Sequence, residues 1–565
     1  MFRRALIVLA ALLPAIAWAA TSPNIVLITL DSTRADRMGF LGAKRPTPGL
    51  DALAKQSIVF ERAYAQAPLT VVSHATILSG TYPQTAKVTE FGAALAPSLP
   101  YLPDLLHARG YHTGAFVGSI ALDPRNGLAP GFDRGFDVYD AGFHPPQKGE
   151  SRYQSVERRG EQVVARANAW LARQQAPFFL WVHLADPHAP YGGSYDGAVA
   201  AADAALGKLV AELRARKLYD DAVIIVAADH GESLGAHGED THGVFLYDET
   251  IRVPLLLKLP QNQMAAKRVP GRVRLLDIAP TVLELAGVAV PPAMQGQSLL
   301  RIAKTNPTAD QPVYSRSDFP QRGFGWSGLE SWRAGKYLYV RAPKSELYDL
   351  TADPGATKNL AQTSKATLDT IAAQLDAFDQ RFSGGKSAGP ELTSSEMQKL
   401  ASLGYVGLQK SGGASTAATG TDPKDVIATA NKVQAALLAI DGGEPDRAVS
   451  ALQPLVAAQP GMYLAQYALG VGYARQQQYP KAVEHLDKAV ELQPDSAWAN
   501  YEIGAALLKT GDFKTAAVHL EIATGRLPEC SEAHSLLAQV YDHLGRVEDA
   551  KRERGKAGPA GQSGK

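Results

Sequence analysis

At 565 residues the chain exceeds one ordinary domain and suits two or three, and its 45% of hydrophobic residues can fill large cores. Lys plus Arg number 57 against 56 Asp plus Glu, a balance that argues against a nucleic-acid binder, which carries a basic excess. With Cys530 as its single cysteine the chain has no internal disulfide, so stability has to come from core size, with metal as a second source.

Residues 1–19 read as a secretory signal. Arg3 and Arg4 open it, an apolar run from Ala5 to Ala15 is interrupted at Pro14, and Ala17-Trp18-Ala19 sets small residues two apart. The alternative is an uncleaved membrane anchor, for which the run is short, since a span needs about 20 residues. No later stretch reads as transmembrane. The expectation is a periplasmic or secreted protein, membrane-anchored only if the signal stays.

The mature chain opens on Asn24-Ile25-Val26-Leu27-Ile28-Thr29-Leu30, the continuous apolar run of a buried parallel strand. Residues 178–182 and 222–227 are similar. Helical patterns lie between them, as over Leu50 to Ala54 and Tyr195 to Lys217. This alternation predicts an α/β fold with a mostly parallel central sheet flanked by helices. Ligands of such sheets bind beyond the carboxyl ends of the strands. Two of these strands end in acids, Leu30 running into Asp31 and Ala228 into Asp229.

The catalytic region is expected over 20–383. Residues 384–424, rich in Gly, Ser, Thr and Ala, read as a flexible linker with one apolar island, Leu403-Gly404-Tyr405-Val406. Beyond it Pro460, Pro494 and Pro528 recur every 34 residues, as do Ala448, Ala482, Ala516 and Ala550, and Gly470 and Gly504. A 34-residue period resembles the tetratricopeptide repeat, an all-α helix-pair array. The units fall at 429–462, 463–496, 497–530 and 531–560, within a repeat region of 425–560. Cys530 reads there as a packing residue. The repeats are expected to bind a protein or peptide partner in their concave face, or else to stabilise or dimerise the enzyme.

Four segments carry chemistry: Leu30 to Asp36, Pro68 to Pro83, His183 to Tyr191, and Ala228 to Gly243. Strand-end carboxylates with an adjacent imidazole suit one divalent ion, zinc or manganese, with calcium or magnesium as alternatives. Asp31, Asp229 and His230 are the expected ligands. Thr70 completes the set, because the stretch after it has helical spacing up to Gly80. It would then sit at a helix N-terminus, which favours an anion. A metal-bound threonine there is a nucleophile facing an anionic ester. Read singly, Asp31 and Thr70 are as well explained as helix caps, His188 as a turn residue, and His237 and His242 as loop histidines.

These segments resemble the sulfatase family of the alkaline phosphatase superfamily. The likeness rests on Leu30-Asp31, Thr47-Pro48-Gly49-Leu50-Asp51, Leu78-Ser79-Gly80-Thr81-Tyr82-Pro83, Asp186-Pro187-His188-Ala189-Pro190-Tyr191, Asp229-His230-Gly231-Glu232 and Glu346-Leu347-Tyr348-Asp349-Leu350. It implies a large central sheet and a smaller carboxy-terminal subdomain from about residue 310. The sequence departs from the family at the nucleophile. Thr70 stands where sulfatases have Cys or Ser converted to formylglycine, Val72 where they have Pro, and His74 where they have Arg. Ser32 replaces a further acidic ligand and His230 an Asn. The departures resemble the superfamily members that transfer phosphoryl groups. Asp186, His188 and His242 could supply a second metal site, but one metal is favoured. His74, His188 and His242 are then expected to hold the anion or protonate the leaving oxygen.

The expectation is an exported hydrolase in which Thr70 attacks a phosphate ester, or a sulfate ester, the phosphodiesterase or phosphatase reading being preferred. The alternatives are a formylglycine-independent sulfuric ester hydrolase, a phosphoethanolamine-type transferase, and a non-catalytic repeat scaffold.

Overall fold

The computed structural model describes residues 22–125, 128–143, 152–305, 307–308, 310–382, 420–528 and 530–557. The signal segment 1–19, most of the 384–424 linker and its apolar island lie outside the described residues.

Eight strands form the central sheet: β1 (Ile25–Leu30), β2 (Ile58–Tyr64), β3 (His112–Phe116), β4 (Val138–Asp140), β5 (Phe178–Leu184), β6 (Val223–Ala228), β7 (Arg252–Lys258) and β8 (Arg268–Arg274). Their order is β4-β3-β5-β1-β6-β7-β2-β8. All neighbours are parallel except β7, which runs antiparallel to β6 and to β2. The three apolar runs read from the sequence are the adjacent central strands β5, β1 and β6, every residue of each buried. Each fully buried aliphatic or aromatic side chain there contributes roughly 1.5–3 kcal/mol of burial free energy, an upper estimate of its share of stability.

Register then sets the geometry of the site. Leu30 pairs with Leu184 on one side and with Ala228 on the other. Asp31 and Asp229 therefore leave the sheet side by side at the carboxyl ends of their strands.

The helices α1 (Pro48–Ala54), α2 (Thr70–Ser79), α3 (Gly160–Leu171) and α4 (Tyr195–Ala215) flank the sheet. Every residue of α2 is buried, so it is a core helix and not an amphipathic surface one. It stops at Gly80, whose left-handed φ of 64° closes the last turn through a bond from its N–H to the Thr76 carbonyl.

A second sheet, β9 (Val313–Ser317), β10 (Leu329–Ala334), β11 (Tyr337–Arg341) and β12 (Glu346–Asp349), is antiparallel in the order β12-β11-β10-β9. The short α5 (Phe319–Phe324) follows β9, and α6 (Lys365–Phe382) packs on this sheet.

Four helix pairs complete the chain: α7 (Pro423–Asp441) with α8 (Pro445–Ala458), α9 (Tyr463–Arg475) with α10 (Tyr479–Leu492), α11 (Ala497–Thr510) with α12 (Phe513–Arg526), and α13 (Ser531–His543) with α14 (Val547–Ala557). The periodic residues have packing jobs. Ala448, Ala482, Ala516 and Ala550 are fully buried on the second helix of each pair. A Cβ at Gly470 or Gly504 would come within 2.6 Å of Leu486 or Leu520, so only glycine lets the paired helices approach this closely. Cys530 is buried beside α13, in keeping with a packing role.

The repeats fold back onto the catalytic part. Lys424 Nζ is 2.7 Å from Glu346 Oε1, and Ser327 N–H donates to the Thr421 carbonyl at 2.9 Å. Among the described residues no helix is long and apolar enough to cross a membrane.

Candidate active site

Asp31 follows β1 and Asp229 follows β6, and both side chains are buried. Between them Ser32, held at a positive φ of 48°, donates its N–H to Asp229 Oδ1 (3.1 Å) and its hydroxyl to Asp31 Oδ1 (2.9 Å). Asp229 Oδ1 also accepts from His230 N–H at 2.8 Å. The outer oxygens, Asp31 Oδ2 and Asp229 Oδ2, are buried without a hydrogen-bond partner. Neither acid caps a helix.

His230 is oriented by its own backbone. Its Nδ1–H donates to the Gly231 carbonyl at 2.9 Å, which leaves the Nε2 lone pair facing inward. That lone pair lies 3.5 Å from Asp229 Oδ2 and 3.8 Å from Asp31 Oδ1. Burial holds His230 well below the usual imidazole range, so it stays neutral. Thr70 Oγ1 donates toward the same nitrogen at 3.3 Å. It is the first residue of α2, whose N-cap is Leu69, so its hydroxyl is not a cap.

A neutral imidazole lone pair and two orphaned carboxylate oxygens converging in one buried spot repel each other unless a cation sits among them. The electrostatics agree. Burial works to raise Asp31, but His183 and His188 hold it well below the usual carboxylate range. Asp229 is pushed well above that range by burial and then by the Asp31 charge. The donor atoms of Asp31, Asp229 and His230 lie within 4.8 Å of one another, and an imidazole that gives its other N–H to a carbonyl is the usual metal-ligand arrangement. The residues present fit a divalent cation.

His74 differs from expectation. Its Nδ1–H donates to the Thr70 carbonyl at 2.8 Å, and its Nε2 accepts from Thr29 Oγ1 at 2.9 Å. Thr29 Oγ1 in turn accepts from Trp181 Nε1 at 3.0 Å. Burial lowers His74 to about 3, so the ring is neutral. With both nitrogens engaged and its side chain wholly buried, it has nothing to offer an anion. It braces α2 against β1 from below. Asp186 is likewise committed, accepting from Gly160 N–H at 2.8 Å, and His237 stacks on Tyr247 at 3.6 Å, apart from the cluster.

His188 and His242 do face the site. They line one cavity with Thr70, about 660 Å³ in volume. Their rings lie 5.3 Å apart, and the His242 ring is 4.4 Å from that of His230. His242 Nδ1–H donates to Glu232 Oε1 at 3.0 Å, and Glu232 Oε2 accepts from Tyr191 at 3.0 Å. This leaves His242 Nε2 free of that network. His188 Nδ1 lies 3.2 Å from Glu157 Oε1. Burial works to lower His188, but Glu157 and Asp31 raise it to about 9.

Three contributors were not singled out in the sequence. His183 accepts the Gly118 N–H at Nδ1 (3.4 Å), so its Nε2–H points at Asp31 Oδ2, 3.4 Å away. Glu157 and Arg152 form a buried ion pair beside His188. A second depression of about 770 Å³, lined by residues between 280 and 311, lies apart from all these groups.

The mostly parallel sheet and the strand-end acid and imidazole cluster define an α/β protein with a candidate metal site. Residues 23–288 match the family described as Sulfatase, and 240–380 match N-sulphoglucosamine sulphohydrolase, C-terminal. Residues 466–511 and 501–552 match TPR repeat and Tetratricopeptide repeat. The chain thus carries a sulfatase domain and a C-terminal sulfatase domain, with tetratricopeptide repeats behind them. It is 28% identical over 418 residues to the ulvan-active sulfatase of Formosa agariphila, covering 63% of this chain and 80% of that one. It is 25% identical over 460 residues to the choline-sulfatase of Rhizobium meliloti, covering 63% and 85%. The phosphonate monoester hydrolase of Agrobacterium radiobacter shares the fold, with a TM-score of 0.54 and 21% identity over 64% of this chain and 96% of that one. The family typically binds a divalent metal.

Proposed function

We propose that this is an exported, metal-dependent ester hydrolase in which Thr70 is the nucleophile, with phosphorus esters preferred to sulfate esters. The observation that supports it most is the approach of Thr70 Oγ1 to His230 Nε2 at the start of α2, beside the two orphaned carboxylate oxygens. Asp31, Asp229, His230 and Thr70 would hold one ion, zinc or manganese favoured because an imidazole stands among the oxygens. Such an ion lowers the pKa of a bound hydroxyl and offsets charge on the transferring group.

This chain's own groups do the rest. Thr70 Oγ, its proton lost to solvent beforehand, attacks the phosphorus as the bond to the leaving oxygen breaks, and it departs again as the alkoxide when water takes its place. The N-terminal N–H groups of α2 favour the anion. His188, charged below about 9, donates a proton to the departing oxygen. His242, oriented by Glu232, holds a non-bridging oxygen or the incoming water. Water then releases the group from Thr70, and the proton returns to His188.

The test is a side-by-side assay of the purified protein on an aryl phosphate monoester, a diester, a phosphonate ester and an aryl sulfate, with bound metal measured. Faster turnover of a phosphorus ester with about one zinc or manganese per chain supports the reading. Sulfate preference would refute the choice of phosphorus.

The role of His188 makes a prediction about pH. Glu157 and Asp31 raise it, Arg152 opposes them, and His242 and Asp441 face it across the cavity. A raised pKa keeps the active protonated form below that value and loses it above. The rate constant kcat/KM should therefore fall as pH rises through about 9. Glu157→Gln should move that limb down toward the ordinary imidazole value of about 6.5. An alkaline limb that stays put in Glu157→Gln rules His188 out as its source.

A further inference from the structure

The cavity that contains Thr70 does not end at the catalytic part. Its far wall is the inner face of the repeats: Tyr463 and Tyr467 on α9, Arg475 at its end, and Trp498 on α11. We propose that this face is the leaving-group half of the active site, and that it takes an uncharged, hydroxyl-bearing ring carried by the ester. This rests on the hydrolase reading above.

The first support is continuity, since one open cleft of about 660 Å³ reaches from Thr70, His188 and His242 to Trp498. That is the size of a site for a small organic ligand. The second is unmet hydrogen bonding. Trp498 Nε1, Arg475 Nε and Asp495 Oδ1 are buried without partners, and all three residues line the cavity. Two donors and an acceptor suit hydroxyl groups, which both accept and donate. The third is shape, because the Tyr463 and Tyr467 rings lie nearly parallel, 20° apart, offering flat apolar surface for a ring.

Charge narrows the class. Arg322 is paired with Glu90 (2.7 Å) and Asp495 (3.1 Å), and Arg475 with Glu502 (3.3 Å). These cations are already matched, so the wall offers no surplus to a second anionic group. An extended peptide is disfavoured too. The catalytic part's own α5 fills the near end of the groove, where Gln493 donates to the Arg322 carbonyl and Phe319 and Leu464 line the cavity together.

The repeats also hold a catalytic candidate in place. Gln434 Nε2 on α7 donates to the His242 carbonyl at 2.8 Å, and its Oε1 accepts from Thr241 Oγ1 at 3.1 Å. Asn431 grips the same loop through the Gly238 carbonyl (2.8 Å) and the Asp240 N–H (3.1 Å). A module that only recruited partners would have no need to clamp this loop.

The experiment uses the full chain and two esters of one acid group, a hexose 6-ester and the methyl ester. The readout is the ratio of their kcat/KM values. Tyr467→Ala and Trp498→Ala should each cut that ratio roughly tenfold or more, mainly through KM of the sugar ester. A purely structural role would slow both esters alike and leave the ratio where it was, which overturns the proposal. Calorimetric binding of phenylphosphonate and methylphosphonate separates recognition from reaction. If the wild type hydrolyses neither ester but prefers the phenyl probe, and Tyr467→Ala erases that preference, the hydrolase reading fails and the binding wall stands. An unchanged ring preference in both variants removes the wall.

Discussion

Thr70→Ala should lose turnover by at least about a thousandfold while the protein folds, binds metal and melts nearly as the wild type does. The stability cost is small because the Thr70 hydroxyl has one contact, toward His230 Nε2 at 3.3 Å, and caps nothing. One hydrogen bond and one methyl together amount to about 1–2 kcal/mol. The catalytic loss is large because no neighbour can take over the attack. The remaining hydroxyls nearby, Ser32 and Ser73, are tied to Asp31 Oδ1 (2.9 Å) and to the Asp229 carbonyl (2.6 Å). Thr70→Ser keeps the oxygen and should keep part of the rate. Steady-state kinetics, metal content and thermal melting on the three proteins give the answer. Normal turnover by the alanine variant would end the threonine mechanism whatever the substrate.

The parts legible in the sequence are those that local chemistry writes plainly. Strands β1 and β6 announce themselves by unbroken apolar runs, and each run ends in an acid, so Asp31 and Asp229 can be placed at the strand ends before any fold is known. The extent of α2 is marked by the helical spacing after Thr70 and by Gly80 at its end. The repeats are read from their period because helix-pair contact demands a small residue at fixed steps, as at Gly470 and Gly504.

The misplaced and missing residues depend on tertiary direction. Thr70 and His74 are four apart, so they share a face of α2. Nothing local says that this face turns inward at His74, where the imidazole meets Thr29 and Trp181 in place of an anion. His183 sits inside an apolar strand, and its value comes only from its register opposite Thr29 and its reach to Asp31. Glu157 and Arg152 look like ordinary loop charges until burial pairs them. The docking of α7 onto the His242 loop depends on Asn431 and Gln434, two residues that the repeat period leaves unconstrained.

Asp229→Asn should empty the metal site and remove activity without unfolding the protein. The asparagine Oδ1 can still accept from Ser32 N–H and His230 N–H, which is what holds the turn after β6 together. What disappears is the negative charge at the partnerless Oδ2, one of two carboxylate charges that a cation needs here. In metal-free protein that charge is a burden, because Asp229 and Asp31 are shut in together and Asp229 is driven upward by burial and by its neighbour. The neutral variant should therefore melt no lower than metal-free wild type. The two proteins should separate only when metal is added. A ligand at about a thousand times its Kd stabilises the wild type by about 4 kcal/mol, and the variant should show little of that gain. Melting curves with and without chelator, followed by zinc or manganese titration, read this directly. If Asp229→Asn gains as much Tm from metal as the wild type, the ion sits elsewhere and the ligand set built on Asp31, Asp229 and His230 is wrong. If the variant is already unfolded without metal, the acid is a structural residue, and its orphaned oxygen has another cause.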